Sequence, residues 1–282
     1  MDVNLDGVRF FYQPAGREDG YPLILLHGGP GLDHTELHPW LDALGDDYRL
    51  IYLDQRGQGR SERVDPASVT IPRLAADVSL LSAALGLSHY ALFGHSYGAF
   101  VTIAHAVEQG TASHYIISGG SASMTKSGPE IQANLAAFEP ESLREQVTRS
   151  WAMEASVKTA EDCAVVLAMQ MPFHFMTTDS DAYRRFTASD PTVYSPEVLA
   201  YAAQHEYAME YEDRLGEVKK PALVMTGEAD RTCTPRAARD LHAGIAGSEL
   251  LVVPGAGHMT HVEQPAIVLS AIRGFIERHP LA

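Results

Sequence analysis

Short, continuous apolar runs alternate along this chain with stretches whose apolar residues recur every three or four positions. A strand buried on both faces needs the first pattern, and a helix covering a sheet needs the second. The runs fall at 22–26, 49–53, 90–93 and 114–117. Between the second and third, Ile71, Leu74, Val78, Leu81 and Leu85 form one helical stripe, with Gly86 as its stop signal. Phe100, Ile103, Ala104 and Val107 repeat the pattern before Gly110. This rhythm predicts right-handed crossovers and a parallel sheet.

The rhythm breaks near Gly120. Residues 121–215 have helical character and are rich in aromatic residues and methionine, including Trp151, Met169, Met171 and Phe173. Most of these are expected to pack between helices, and a few to line a pocket. Ser195-Pro196-Glu197 reads as a helix start. Strand character returns at 221–225 and 249–253, and Ile267, Ala271, Ile272, Phe275 and Ile276 mark a last helix. Residues 1–120 and 216–282 are therefore expected to form one α/β core, and 121–215 a helical cap.

A chain of 282 residues can bury a sizeable core without staples. Its 36 acidic and 21 basic residues leave a formal charge of −15, which argues against nucleic acid or anionic membrane partners. Cys163 and Cys233 supply neither a disulfide framework nor a zinc signature, so no metal is expected and a reducing cytoplasm is the default setting. The first residues lack a signal-peptide pattern, and no apolar run approaches the ~18 residues of a membrane span.

Gly94-His95-Ser96-Tyr97-Gly98 follows one predicted strand and opens a predicted helix, the setting in which G-x-S-x-G presents a nucleophile. Asp230 follows the strand at 221–225, and His258 follows the strand at 249–253. The expected roles are Ser96 as nucleophile, His258 as base and Asp230 as the group that orients the imidazole. His261 and Glu228 are the nearest rivals, and His95 is expected to be packed rather than catalytic. In His27-Gly28-Gly29-Pro30-Gly31, glycines let the backbone approach a ligand. The oxyanion hole is assigned to the backbone N–H groups of Gly29 and Tyr97. The segment 54–61, with Asp54 and Arg56, reads as a constrained structural loop. Cys233 reads as a small buried residue.

With these residues in place, the chain resembles the α/β-hydrolase superfamily over nearly its whole length. The pairing of His27-Gly28-Gly29-Pro30-Gly31 with Asp54-Gln55-Arg56-Gly57-Gln58-Gly59-Arg60-Ser61 resembles the prolyl iminopeptidase branch of serine aminopeptidases. The best-known members of that branch read Gly-Gly-Ser-Trp-Gly at the elbow, where this chain has Gly-His-Ser-Tyr-Gly. The resemblance implies an eight-stranded, mostly parallel sheet flanked by helices, with a helical cap inserted after the sixth strand. It implies no cofactor, and cleavage of an N-terminal residue from short peptides. Family members hold the substrate's amino group with cap glutamates. Glu206 and Glu210, one helical turn apart by spacing, are candidates here, with Trp151 and Phe173 as further substrate-binding candidates.

The expected activity is thus acyl-enzyme hydrolysis of a small ester, amide or peptide. A carboxylesterase of short acyl esters is the alternative. An acyltransferase or perhydrolase would use the same triad, and the intact Ser96, Asp230 and His258 set argues against a non-enzymatic receptor.

Overall fold

The computed structural model describes residues 1–188, 191–205 and 209–281. The chain opens with β1 (Asp2–Leu5) and β2 (Val8–Gly16), an antiparallel hairpin turned at Asp6-Gly7. Both turn residues have positive φ, 52° and 82°, as a two-residue hairpin turn requires. Then come β3 (Tyr21–Leu26), β4 (Tyr48–Leu53), α1 (Ile71–Ala84), β5 (Ala91–His95), α2 (Tyr97–Glu108) and β6 (His114–Ser118). Next are α3 (Met124–Ala136), α4 (Glu141–Met153), α5 (Ala160–His174), α6 (Asp181–Thr187) and α7 (Pro196–Gln204). The chain ends with β7 (Ala222–Gly227), α8 (Pro235–Gly244), β8 (Glu249–Val253), α9 (Thr260–Glu263) and α10 (Pro265–Arg278).

The strands form one eight-stranded sheet in the order β1-β2-β4-β3-β5-β6-β7-β8. β2 runs antiparallel to β4, and β3 through β8 pair in parallel. Side chains alternate across the pleat. Leu23, Leu25, Tyr52, Phe93 and Ile116 pack with Ile272 and Phe275 of α10, while Ile24, Leu26, Ile51, Leu92 and Ile117 pack with α1 and α2. Both faces are covered, so the central strands are apolar throughout.

Five of the helices, α3 to α7, lie between β6 and β7. Thr159 and Asp162 form a capping box at the start of α5. Ser195 does sit at the N-cap of α7, but its hydroxyl makes no cap bond. It instead accepts the Gly59 N–H at 3.1 Å, and the Ser195 N–H donates to the Gly31 carbonyl at 2.9 Å. The start of α7 is therefore fastened to both glycine-rich core loops. Among the described residues, no helix is long and apolar enough to cross a membrane.

Candidate active site

Ser96 sits between β5 and α2 with φ 52°, a left-handed conformation that costs a non-glycine residue on the order of 1–3 kcal/mol. Its surroundings hold it there. The Ser96 N–H donates to the Ser118 carbonyl at 2.9 Å, and its own carbonyl takes the Ala99 N–H at the same distance. A side chain at Gly94 would collide with the Gly98 carbonyl, and one at Gly98 with the Leu26 carbonyl. The two glycines flanking the serine are thus required by close packing, Gly94 against the first turns of α2 and Gly98 against the end of β3.

Asp230 and His258 come from the turns after β7 and β8. The Asp230 Oδ1 accepts from the Thr232 N–H, the Thr232 hydroxyl and the Cys233 N–H, each at 2.9 Å. Its Oδ2 is left for His258 Nδ1 at 2.7 Å. Both residues are buried. Burial acts against the charged form of each, but their mutual attraction wins: Asp230 is held below its ordinary carboxylate range and His258 above its ordinary imidazole range. The His258 N–H donates to the His174 carbonyl at 2.6 Å, which fixes the loop. Ser96 and His258 line one cavity of about 300 Å³.

Gly29 also lines this cavity, with φ 115°, and its N–H has no hydrogen-bond partner among the described residues. Tyr97 is the first residue of α2; its side chain is buried in the core. The segment 54–61 braces the loop that carries Gly29. Gln55 Nε2 donates to the His27 carbonyl at 2.8 Å, and the Gly31 N–H donates to Gln58 Oε1 at 2.7 Å. Arg56 makes two 2.7 Å bonds to Asp77 of α1, and Asp54 takes the His34 ring and the Arg60 N–H, both at 2.7 Å.

The rival residues have other partners. His261 Nε2 bonds the Glu36 carbonyl oxygen at 3.2 Å, and Glu228 accepts the Gly255 N–H at 2.9 Å. His95 is buried with its ring 4.7 Å from that of His258 and 4.8 Å from that of His261. Burial and its imidazole neighbours push it well below the ordinary range.

Of the candidates for binding substrate, Trp151 lines the cavity. Phe173 does not: it is fully buried against Phe138, Val147 and Trp151, inside the packing of α3, α4 and α5. Helical spacing misplaces Glu210 as well. Helix α7 ends at Gln204, and Glu210 forms an isolated bridge with Ser123, accepts the Thr125 N–H at 2.8 Å and stays exposed at the start of α3. Glu206 lies outside the described residues.

The sequence reading missed two cavity carboxylates, Glu36 and Glu154. Loss of hydration pushes each up to about 7. Glu154 Oε1 accepts from Gln170 Nε2 at 2.5 Å. One signal was present: Glu154 stands three residues after Trp151, one helical turn along α4 and its 3₁₀ extension.

Comparison with known proteins agrees with this architecture. A proline iminopeptidase of Pestalotiopsis fici is 25% identical over 288 residues, covering 98% of this chain and 99% of the relative. One from Lactobacillus acidophilus is 28% identical, covering 96% and 95%. Among solved structures, a proline iminopeptidase of Mycobacterium smegmatis superposes with a TM-score of 0.78 at 23% identity, over 99% of this chain and 98% of the other. A thermophilic esterase of Thermogutta terrifontis does so with a TM-score of 0.77 at 23% identity, over 99% and 100%. The family model for alpha/beta hydrolases matches residues 23–271, and the chain belongs to that family.

Proposed function

We propose that this chain is a serine hydrolase of the aminopeptidase type, acting on short peptides or amides with a free N-terminus. One observation carries the reading: a buried 2.7 Å bond joins His258 to Asp230 at the wall of a cavity that Ser96 also lines. Ser96 Oγ attacks the substrate carbonyl and His258 Nε2 takes its proton. The Gly29 and Tyr97 N–H groups hold the oxyanion, each contributing about 3 kcal/mol. His258 then protonates the leaving amine, and the acyl group stays on Ser96. Water attacks this ester by the same proton route in reverse, which frees the acid.

In this reading residues 1–120 and 216–282 form the catalytic core, and 121–215 form a cap over the site. Glu154, at the α4 end of the cavity, is the acceptor for the substrate's ammonium group. The iminopeptidase relatives favour the same substrate class. The two free, buried cysteines agree with a cytoplasmic setting.

The Ser96→Ala variant tests the mechanism. Turnover of p-nitrophenyl acetate should fall on the order of 10⁶-fold with the fold intact by circular dichroism. Substantial remaining turnover would remove Ser96 from the reaction. For the amine, the ratio of kcat/KM for alanine p-nitroanilide over its N-acetyl derivative should be large, and Glu154→Gln should shrink it at least tenfold. Equal rates on the free and acetylated substrates would defeat the aminopeptidase assignment. A carboxylesterase is the second reading, favoured by the apolar cavity wall of Trp40, Leu167, Met171 and Met259. Ester turnover without anilide cleavage would select it.

A further inference from the structure

Glu36 stands outside the proposed triad, in the segment between β3 and β4. It ends a 3₁₀ turn (His34–Glu36) that follows the loop carrying Gly29. The residue is buried, yet it lines the cavity. Its Oε2 accepts the Gly28 N–H. A methyl group built on Gly28 would lie 2.5 Å from Glu36 Oε1 and 3.1 Å from Ser96 Cβ. The carboxyl group and the proposed nucleophile therefore press on the same side of Gly28.

The groups facing Glu36 do not neutralise it. His95 Nε2 lies 4.0 Å from Oε1, and burial keeps that imidazole uncharged. His261 reaches only the backbone carbonyl and is also pushed down by burial, to about 4. Asp33, another acid, is close enough to oppose its ionisation, and His258 favours it. Among the described residues, no lysine or arginine lines the cavity. Positions 189–190 and 206–208 carry neither residue type. Arg231, next to Asp230, is turned to the carbonyls of Phe173 and Phe175.

We propose that Glu36 makes this site select its substrates by charge. It admits esters and amides that are neutral or cationic around the scissile bond, and it rejects those with a carboxylate there. A free dipeptide is thus a poor substrate, while an aminoacyl amide, an ester or a longer peptide with a distant C-terminus is a good one. The inference rests on the serine-hydrolase reading above and not on the choice between peptide and ester. The physical reason is that two like charges within one cavity repel when no cation stands between them. Because Glu36 titrates near neutrality, selection strengthens as pH rises and the carboxylate forms.

Two substrate pairs test this: Ala-Ala-NH2 against Ala-Ala, and dimethyl succinate against monomethyl succinate. Each pair differs chiefly by one negative charge, so the titration of His258 cancels in the ratio of kcat/KM values. The neutral member should be preferred at least tenfold at pH 8 and several-fold less at pH 6. In Glu36→Gln, whose amide oxygen still accepts from Gly28, the preference should fall to a few-fold, and its pH dependence should shrink to the part that Glu154, the other cavity carboxylate pushed up to about 7, supplies. Equal rates on both members in the wild type would overturn the proposal. So would a preference that survives Glu36→Gln with its pH dependence intact. If that variant does not fold, the pH dependence of the wild-type ratio decides. Selection within the succinate pair without cleavage of Ala-Ala-NH2 would reject the aminopeptidase reading and still support the role of Glu36.

Discussion

Asp230 and His258 oppose each other's response to burial. Alone, each would be driven towards its neutral form; together, they hold the carboxylate ionised and raise the imidazole. His258, as the proposed base, must be deprotonated to act, so kcat/KM should rise with pH and reach its midpoint above the ordinary imidazole value of about 6.5. Asp230→Asn removes the largest influence that raises His258, leaves the smaller ones of Glu36 and Glu263, and leaves the burial that lowers it. The midpoint should then move to lower pH, and the rate should fall by about 10⁴-fold as the imidazole loses its preferred tautomer. A pH–rate profile of both proteins checks this, and an unmoved midpoint would detach Asp230 from His258. At the same scale, spacing along the sequence misled the reading of Glu210, and aromatic character that of Phe173. Each has the chemistry expected of it, but one sits beside the first turn of α3 and the other fills the interior of the inserted helices.

Elements in this fold are joined by buried polar contacts as well as by packing. The segment after β4 is tied to α1 by the Arg56–Asp77 pair, whose side chains are 6% and 2% exposed. Removing one partner of such a pair leaves an uncompensated charge, so Asp77→Ala should destabilise the protein by about 3 kcal/mol, read from urea unfolding. Because this segment also holds His27 and Gly31, part of the loss should appear as slower turnover in the surviving folded fraction. The two glycine-rich loops, separated by more than twenty residues in sequence, thus behave as one structural unit beside Ser96. The hairpin of β1 and β2 was not singled out as strands in the sequence, although Asp6-Gly7 is a strong two-residue turn signal. Its strands are half-buried at a sheet edge, so they lack the continuous apolar runs of the central strands.

Over the whole molecule the formal charge is −15, and two of those carboxylates, buried Glu36 and half-buried Glu154, line the cavity with no lysine or arginine among its described lining residues. A cationic substrate should therefore be drawn in by the long-range field, which salt screens within about 10 Å at 0.1 M. Raising the salt from 0.02 to 0.5 M should increase KM for alanine p-nitroanilide several-fold and leave KM for p-nitrophenyl acetate nearly unchanged. Parallel changes for both substrates would show that the field plays no part in binding.

The sequence by itself determined the doubly covered parallel sheet, because continuous apolar runs alternating with stripes of period 3.6 can be satisfied together in few ways. It also determined the turn that carries Ser96, because glycine-flanked close packing is written into five consecutive residues. Only the tertiary structure decided which acids face the cavity. Glu36 and Glu154 come from segments more than a hundred residues apart; the spacing of Glu154 from Trp151 is the one local hint, and nothing around Glu36 marks its carboxyl group as facing inwards. That outcome depends on how the inserted helices settle over the ends of the strands, a packing of distant surfaces that local spacing does not encode.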